Sequence, residues 1–445
     1  MGMKWVLIAP HTSKILRYEK NVSIDIPLSL AYIGAMLEME GHTVETIDLP
    51  ILNLSWDDFF SRLSKSEADA FGITSITCTY PFALKIAKAC KEYHPNTPVV
   101  VGGPHVTFTA EETLRETPEV DIVVRHEGEY TIQEVAHCLE HRESLSSVKG
   151  ITYRKNGDII HNPDAPPIAD LDQLPLPARH LFRVDLYRER NNYTSVCSSR
   201  GCPYNCAYCV PCNMFGLRFR PRSSKNVVDE IQTISEDYHF SHIIFVDDLF
   251  TFDPERVLNL CTEIKERDTG VAWSCSSRVD TITPELCQSM GEAGCEMIFF
   301  GFESGDERVL QNVRKRTTGK QAEQAIQAAR DAGIAVQAAF VVGLPGDTPE
   351  TIEETLKFID NFKFEKVTIS PLNPFPGTDM GDNPEKWGIT IKDFDWSRYT
   401  TMVPVCETDT LSSSAFTKYW IQIVKKYYTK HPSKDVQFKE EIQWF

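Results

Sequence analysis

The stretch SRGCPYNCAYC, residues Ser199–Cys209, carries the densest chemical signal in this chain of 445 residues. Its cysteines follow the spacing C-x3-C-x2-C, directly after a predicted strand. Three thiolates at this spacing can bind one face of an iron–sulfur cube and leave one iron without a protein ligand. An open metal position is where chemistry takes place, whereas a structural site normally closes with a fourth ligand. We therefore expect Cys202, Cys206 and Cys209 to hold a reactive 4Fe–4S cluster.

Two simpler sites could use the same cysteines. A zinc ion would be bound if Cys197 or Cys212 supplied a fourth thiolate, although zinc ribbons usually show two paired cysteine knuckles. An electron-transfer cluster closed by Cys212 is the second alternative. The chain has 13 cysteines in all, an odd number, which favours reduced thiols over a disulfide framework. Most of the others are scattered and are interpreted as small core residues.

The sequence around this loop, residues 191–380, alternates short apolar segments with amphipathic ones. Such alternation predicts parallel strands with helices between them. Six repeats indicate a partial (β/α)6 barrel, whose chemistry lies at the carboxyl ends of the strands. The predicted strands are Tyr193–Ser198, His242–Val246, Ala272–Ser276, Met297–Phe302, Ala335–Val342 and Lys366–Pro371.

Polar residues and glycines follow these strands, and each has a chemical use and a simpler explanation. Adjacent carboxylates could bind a ribose or an amino group, or they could cap a helix. An arginine could bind a carboxylate through two nitrogens, or form a surface salt bridge. Glycine allows the backbone to approach a flat ring closely. The candidates, in strand order, are Asp247, Asp248, Arg278, Glu303, Gly343 and Leu344.

The cysteine stretch resembles the signature of the radical S-adenosylmethionine superfamily, including the aromatic residue Tyr208 before the last cysteine. The strand-end motifs also resemble those of this superfamily, over about residues 193–380. The resemblance implies that S-adenosylmethionine binds the open iron through its amino and carboxylate groups. An electron from the cluster then cleaves the sulfonium and gives a 5′-deoxyadenosyl radical, while the protein supplies aim and shielding.

Residues 1–141 also alternate strands and helices, which predicts a flavodoxin- or Rossmann-like domain. Its motifs PLSLAYIG from Pro27, VVGGPHVT from Val100 and DIVVRHEGE from Asp121 resemble the cobalamin-binding half of cobalamin-dependent radical enzymes. A corrin is a broad apolar disc rimmed by amides, which glycine-rich strand ends can approach. The alternative is an inert docking domain. The resemblance implies these cofactor-binding residues: Thr74, Ser75, Thr77, Tyr80, Gly102, Gly103, His105, Glu127, Gly128 and Glu129.

The histidines of this domain lack the Asp-x-His-x-x-Gly element through which cobalamin mutases bind cobalt. We therefore expect cobalamin without a histidine ligand, with Thr74–Tyr80 passing under the lower face of cobalt. The simpler interpretation of His105 and His126 is that they are loop histidines with local hydrogen bonds.

Two further segments complete the predicted α/β organisation. Residues 142–190 contain the hairpin signal Asn156-Gly157 and a proline-rich stretch, and are interpreted as a hairpin and linker. Residues 381–445 are predicted to form a small, mainly helical and aromatic region, with Phe416, Trp420, Ile423, Val424 and Tyr427 on one helix face.

Net charge and the length of apolar runs indicate which classes of partner this chain lacks. The formal net charge is −17, so we expect no nucleic-acid partner. No apolar run approaches the roughly 20 residues that span a bilayer, and we expect a cytoplasmic protein. The resemblance implies an external electron donor and either a peptide or protein substrate or a small-molecule one.

The function that the resemblance implies is methyl transfer to an unactivated saturated carbon. One S-adenosylmethionine would methylate cobalt, and a second would provide the radical that activates the substrate. The compact layout resembles enzymes that methylate a glutamine of methyl-coenzyme M reductase. The alternatives are a cobalamin radical enzyme that does not methylate, such as a cyclase or a ring-contracting oxidant, and a non-catalytic iron–sulfur and cobalamin protein.

Overall fold

The computed structural model describes residues 2–11, 24–400, 402–423 and 426–427. These residues divide into two compact units, one ending at Asn192 and the other beginning at Tyr193. No helix among the described residues has both the length and the apolar character needed to cross a bilayer.

The first unit is built on a sheet whose strand order is β2-β1-β3-β4-β5-β6-β7. The first five strands of the chain pair in parallel, and β6 and β7 extend the sheet in antiparallel fashion. Trp5 and the residues that follow it in β1 are buried, as expected for a parallel strand covered on both faces. The strands are β1 (Lys4–Ala9), β2 (Thr43–Asp48), β3 (Ala70–Thr74), β4 (Val99–Gly102), β5 (Ile122–Val124), β6 (Ile151–Lys155) and β7 (Asp158–His161).

Helices connect these strands. They are α1 (Leu28–Met39), α2 (Leu49–Leu52), α3 (Trp56–Leu63), α4 (Tyr80–Tyr93), α5 (Pro104–Phe108), α6 (Ala110–Glu116), α7 (Glu129–His141) and α8 (Val184–Asn191). The hairpin of β6 and β7, which the sequence assigned to a linker, belongs to the sheet of this unit. Its β6 edge pairs with β5 through Val123 and Thr152, so the hairpin buries a strand edge that would otherwise be exposed.

The second unit contains six parallel strands in the order β15-β14-β13-β12-β11-β8. Each strand therefore lies beside its predecessor, which is the arrangement of a partial (β/α)6 barrel. The six strands are β8 (Tyr193–Val196), β11 (His242–Phe245), β12 (Ala272–Ser277), β13 (Cys295–Glu303), β14 (Ala335–Val342) and β15 (Lys366–Pro371). The smaller pairs are β9 (Ser199–Arg200) with β10 (Arg220–Pro221), and β16 (Ile389–Ile391) with β17 (Cys406–Thr408).

The helices of this unit begin where the sequence supplies a cap followed by proline. Asp253, Thr283 and Thr348 each accept a backbone N–H of the first turn, and a proline follows each of them. The helices are α9 (Pro211–Met214), α10 (Ser224–Glu236), α11 (Pro254–Glu266), α12 (Pro284–Glu292), α13 (Glu307–Asn312), α14 (Gly319–Asp331), α15 (Pro349–Phe362), α16 (Asp379–Asp382) and α17 (Ser413–Ile423).

The C-terminal region differs from its prediction. The sequence predicted mainly helix after residue 380, but β16 and β17 form an antiparallel pair before α17 begins. These two short strands carry too little periodicity to be found from the sequence. Within α17, Phe416, Trp420 and Ile423 are buried as predicted, whereas Val424 and residues 428–445 lie outside the described part of the chain.

Candidate functional site

The cysteine loop connects two short strands. It leaves β9 and returns through α9 to β10, and Arg200 pairs with Arg220 across the base. Gly201 starts the loop with a φ of 87°, and a Cβ at this position would lie 2.3 Å from the carbonyl oxygen of Arg218. Only glycine fits both constraints. The backbone conformation of Gly201, the first residue of the loop, is therefore fixed.

The middle of the loop is held by backbone hydrogen bonds on both sides. The N–H of Ala207 donates to the carbonyl of Val313 at 3.1 Å, and its carbonyl accepts from the N–H of Met380 at 3.1 Å. Ala207 is fully buried in an apolar cluster that also contains Leu344 and Leu372. The loop thus rests on the segments that follow β13, β14 and β15.

The cysteine side chains share one environment. Cys206 is buried, and Cys202 and Cys209 are half-buried. Burial raises the pKa of Cys209, and the nearby thiols of Cys206 and Cys202 raise it further. Among the described residues, no three Cys, His, Asp or Glu side chains converge closely enough to hold a metal ion. The fit to a cluster therefore rests on the donor set, which consists of neighbouring thiols on one fixed loop, and their deprotonation would accompany binding.

The two cysteines considered as a fourth ligand make backbone contacts. The Sγ of Cys212 donates to the carbonyl of Cys209 at 3.5 Å. The Sγ of Cys197 donates to the carbonyl of Ser199 at 3.3 Å.

Asp247 and Asp248 face different partners, although they are adjacent in the sequence. Both carboxylate oxygens of Asp247 are engaged, because they accept the N–H and hydroxyl of Ser198 at 2.7 and 2.6 Å and the hydroxyl of Ser199 at 2.5 Å. Its side chain is fully buried. These bonds fix the strand end that precedes the cysteine loop, and contact of Asp247 with a cofactor stays a prediction.

Asp248 is less enclosed than its neighbour. It is partly exposed and accepts the N–H of Gly201 at 2.9 Å. Burial raises its pKa to about 6. Asp248 thus lies at the first residue of the cysteine loop, where a ligand of the cluster would be within reach of a carboxylate.

Arg278 has a carboxylate partner within the chain. Its Nε and Nη2 donate to the two oxygens of Asp280 at 2.9 and 2.8 Å. The two-nitrogen interaction that the sequence assigned to a bound carboxylate is therefore made with Asp280, because the 3-10 turn after β12 brings this residue alongside. The remaining nitrogen, Nη1, lies 3.7 Å from the Sγ of Cys206.

Glu303 ends β13 in an unusual backbone conformation. Its φ is 66°, in the left-handed region that non-glycine residues rarely adopt. Its Oε1 accepts from Nζ of Lys315 at 3.1 Å, and both side chains are largely buried. A Cβ on Gly301 would lie 2.5 Å from this carboxylate oxygen, so glycine leaves the space that the ion pair fills.

Tyr208 lies between this ion pair and the cysteines. Burial raises its pKa well above the usual value, and the charges of Glu303 and of the Cys206 and Cys209 thiols add to the effect. Lys315 was not found from the sequence, because nothing in its run of basic residues distinguishes the one that is buried. The structure thus brings Glu303, Tyr208 and the cysteines together.

Gly343 and Leu344 do not present an open surface to a flat ring. A Cβ on Gly343 would lie 2.0 Å from Cε2 of Phe416, so the ring that approaches this glycine is the phenyl group of α17. Leu344 is fully buried in the apolar cluster beneath the cysteine loop. Contact of these two residues with a cofactor stays a prediction. The carboxylate of Asp347 accepts both of their N–H groups and closes the turn.

In the first unit, the residues after β3 and β4 are joined to each other. The N–H of Ser75 donates to the carbonyl of Gly102 at 2.8 Å. Gly103, with a φ of 115°, is packed so closely that a Cβ would lie 2.3 Å from the carbonyl oxygen of Ser75. The buried hydroxyl of Ser75 has no hydrogen-bond partner among the described residues. A Cβ on Gly102 would lie 3.7 Å from the carbonyl oxygen of Val124, an ordinary contact distance. The orphaned hydroxyl of Ser75 fits a ligand that carries amides on its rim.

The loop after β3 carries the other predicted contacts. The hydroxyl of Thr74 lies 3.5 Å from the hydroxyl of Ser29, and the hydroxyl of Thr77 lies 3.3 Å from Nδ1 of His105. Between them, the side chain of Ile76 is 49% exposed. Its backbone N–H and carbonyl are bound by Thr79, so an apolar side chain is held outward on a fixed turn.

His105 and Tyr80 belong to the interior. His105 is 1% exposed, and its ring lies 4.1 Å from the ring of Tyr80. The hydroxyl of Tyr80 bonds to Thr113 at 3.1 Å. Burial lowers the pKa of His105 to about 4, so the ring is neutral near pH 7. Contact of these two side chains with a cofactor stays a prediction, and the packing of His105 agrees with its simpler interpretation.

The motif after β5 also serves packing. Glu127 is buried, and its Oε2 accepts the N–H of Ile168 at 2.9 Å, which ties the proline-rich segment to the sheet. Gly128 packs against Val124, and a Cβ on Gly128 would lie 3.1 Å from Cγ1 of Val124. Glu129 is buried at the start of α7. Both side chains are thus buried within this unit, and their contact with a cofactor, which the resemblance implies, stays a prediction.

Comparison with known proteins identifies the family. Residues 23–136 match the B12 binding domain model, and residues 196–359 match the Radical SAM superfamily model. An uncharacterized methyltransferase of Pyrococcus horikoshii is 33% identical over 417 residues, which cover 94% of this chain and 90% of the relative. The chain belongs to the cobalamin-dependent radical S-adenosylmethionine methyltransferase family. Its cofactors are a 4Fe–4S cluster, S-adenosylmethionine and cobalamin, as the sequence predicted.

The matches also include a cyclase and a methyltransferase of known structure. An anaerobic magnesium-protoporphyrin IX monomethyl ester cyclase of Rubrivivax gelatinosus is 29% identical, covering 86% of this chain and 70% of the cyclase. Among solved structures, the radical S-adenosylmethionine methyltransferase TsrM of Kitasatospora setae, with cobalamin and a 4Fe–4S cluster bound, has a TM-score of 0.78. It is 18% identical and covers 95% of this chain and 91% of its own, which confirms the predicted fold class.

Proposed function

We propose that this family member transfers a methyl group to an unactivated saturated carbon. The observation that carries the proposal is the fixed three-cysteine loop at the strand ends of a barrel. The same chain contains a cobalamin-type domain, and its similarity to a methyltransferase covers 94% of this chain. Bound together, the cofactors supply a carbon-centred radical and a methyl group.

The residues of the second unit would hold the cluster and S-adenosylmethionine. Cys202, Cys206 and Cys209 would bind three irons of the cube. Asp248 and Glu303 are acidic groups beside this loop and suit the amino group of S-adenosylmethionine. The ion pair of Glu303 with Lys315 is buried, so the carboxylate is oriented before any ligand arrives.

The residues of the first unit would hold cobalamin without a protein ligand to cobalt. His105 is neutral but enclosed by Tyr80 and Thr77, so its ring is not free to turn outward. Ile76 is exposed on the turn that the sequence placed under the lower face. An aliphatic side chain cannot coordinate a metal, and it excludes water from the position it covers.

S-adenosylmethionine with a deuterated methyl group tests this proposal. Anaerobic reaction with a reductant should add a CD3 group in place of hydrogen to the substrate and release 5′-deoxyadenosine. Candidate substrates include peptides containing the glutamine of methyl-coenzyme M reductase, together with tetrapyrroles and lipids. Formation of 5′-deoxyadenosine with no CD3 product from any of these substrates would count against methyl transfer.

A second function is favoured by one observation, the cyclase relatives at up to 29% identity. In that case the enzyme would oxidise its substrate and would not methylate it. The same assay separates the two functions, because a cyclase product loses hydrogen and carries no CD3 group, while the labelled methyl group stays in the methionine released when S-adenosylmethionine is cleaved. Failure of wild-type protein to make 5′-deoxyadenosine under reducing conditions would remove both functions.

A further inference from the structure

One cationic side chain is fixed against a proposed cluster ligand. Arg278 is 6% exposed, and its Nη1 lies 3.7 Å from the Sγ of Cys206, within range of an N–H···S hydrogen bond. Its other nitrogens are engaged by Asp280 and by the carbonyl of Lys315 at 2.9 Å. The guanidinium also stacks on Tyr204 of the cysteine loop, with its central carbon 3.7 Å from the ring centroid.

This network leaves the guanidinium little freedom. The two bonds to Asp280 fix its plane, and Tyr204 covers one face of that plane. An arginine side chain is not deprotonated in proteins, and the ion pair with Asp280 at 2.8 Å offsets the cost of burying its charge. The charge and the N–H donor are therefore permanent features of the environment of Cys206.

Cluster potentials respond to such features. Hydrogen bonds to the sulfurs and nearby positive charge stabilise the reduced cluster, which carries one more electron, and they raise the reduction potential. A buried charge acts strongly here, because the surrounding protein screens it far less than water would.

We propose that Arg278 sets the reduction potential of the cluster by donating an N–H to the Sγ of Cys206, and that Asp280 moderates its charge. This inference rests on the proposed ligation of the cluster by Cys206. Arg278 is a positioning residue in this role, since it acts through a cluster ligand. The electron it influences is the single electron that the external reductant delivers to the oxidised cluster.

The test compares midpoint potentials of anaerobically reconstituted full-length variants, measured by redox titration with EPR detection of the reduced cluster. Arg278→Met should shift the potential to more negative values, because donor and charge are both lost. Asp280→Asn should shift it to more positive values, because a negative charge is removed. Arg278→Lys should lie between wild type and Arg278→Met, since the charge stays while the fixed donor is lost.

The chain offers a matched surface control. Arg308 binds Asp306 through two nitrogens at the same spacing of two residues, with the carboxylate first in the chain, but its side chain is 83% exposed. Arg308→Met should leave the potential unchanged. Iron content is measured for every variant, so that only intact clusters are compared.

The opposite signs of the two main shifts separate tuning from a merely structural role. Damage to the loop would move Arg278→Met and Asp280→Asn in the same direction, and that result, or the absence of any shift, would overturn the inference. If Arg278→Met fails to assemble a cluster, the other two variants test the inference. The midpoint potential of Arg278→Lys should be more negative than that of wild type, and the potential of Asp280→Asn should be more positive. If wild type itself assembles no cluster, the proposed function fails instead.

Discussion

Replacement of Asp247 by asparagine tests whether this carboxylate fixes the start of the cysteine loop. In the wild type one oxygen accepts the N–H of Ser198, and the other accepts the hydroxyls of Ser198 and Ser199. The guanidinium of Arg256 lies 3.7 Å from the second oxygen and is itself largely buried. Asparagine keeps the first acceptor, but it places an NH2 group where two hydroxyls donate.

The cost follows from these contacts. A hydrogen bond to a charged group contributes about 1.5–3 kcal/mol, so the loss of two gives about 3–6 kcal/mol. The lower part of this range applies, because the hydroxyls of Ser198 and Ser199 can rotate to new partners. Arg256 loses its nearby charge but keeps bonds to the carbonyls of Ser198 and Phe250. We therefore expect Asp247→Asn to lower the free energy of unfolding by about 3 kcal/mol.

The assay is anaerobic urea unfolding of the full chain, with iron content measured after reconstitution. Asp331→Asn is the control, because Asp331 is exposed and accepts only a surface hydrogen bond from Gln327. It should change stability by less than about 0.5 kcal/mol. An unfolding free energy and iron content like those of wild type in Asp247→Asn would refute the reasoning.

Three further predictions concern packing, pH and cobalt. Gly343→Ala should cost about 1–2 kcal/mol for its left-handed backbone and about 1–3 kcal/mol for the clash with Phe416; in a double-mutant cycle of thermal unfolding, Phe416→Ala should remove only the second cost. Burial raises the pKa of Asp48 from 3.8 to about 6, so its proton is lost first in the unfolded chain. Wild type should lose about 3 kcal/mol of stability as pH rises through this window, and Asp48→Asn, which keeps an acceptor for Tyr187, should flatten that loss in urea unfolding. Ile76→His should add nitrogen splitting to the EPR spectrum of reduced, cobalamin-loaded protein, whereas Ile76→Val should not; an unchanged spectrum in both would place this turn away from cobalt.

The strands of both sheets could be predicted from the sequence because burial on both faces leaves a plain signal. Runs such as Trp5–Ala9 and Ala335–Val342 are apolar throughout or alternate regularly, and their boundaries agree with the structure. A cap followed by proline is a signal of the same local kind for the start of a helix, as at Thr348. These signals are local, so a single sequence contains them.

The contacts of the site depended on distant residues and could not be predicted. Asp247 and Asp248 look alike in sequence, and only the fold turns the first toward Ser198. Gly343 was expected to approach the flat ring of a cofactor, and the ring that packs against it in the structure is that of Phe416, far along the chain. Lys315 gives no sign in sequence that it is buried against Glu303.

The resemblance predicted more about the family and its cofactors than about individual side chains. The cysteine spacing and the glycine-rich strand ends predicted the family and its cofactors, because cofactor chemistry constrains those residues directly. It did not predict that His105 and Glu127, in the first unit, are buried. A motif shared by a family identifies the fold around a ligand as well as the residues that contact it, and sequence alone does not separate the two.

The central claim is that the loop of Cys202, Cys206 and Cys209 leaves one iron open to S-adenosylmethionine. Mössbauer spectroscopy of anaerobic protein reconstituted with 57Fe tests it most directly. On addition of S-adenosylmethionine, the account predicts that one iron of the four changes its spectrum while the other three do not, and that Cys212→Ala leaves this response intact. A spectrum in which no iron responds, a cluster lost in Cys212→Ala, or protein without iron would contradict the account.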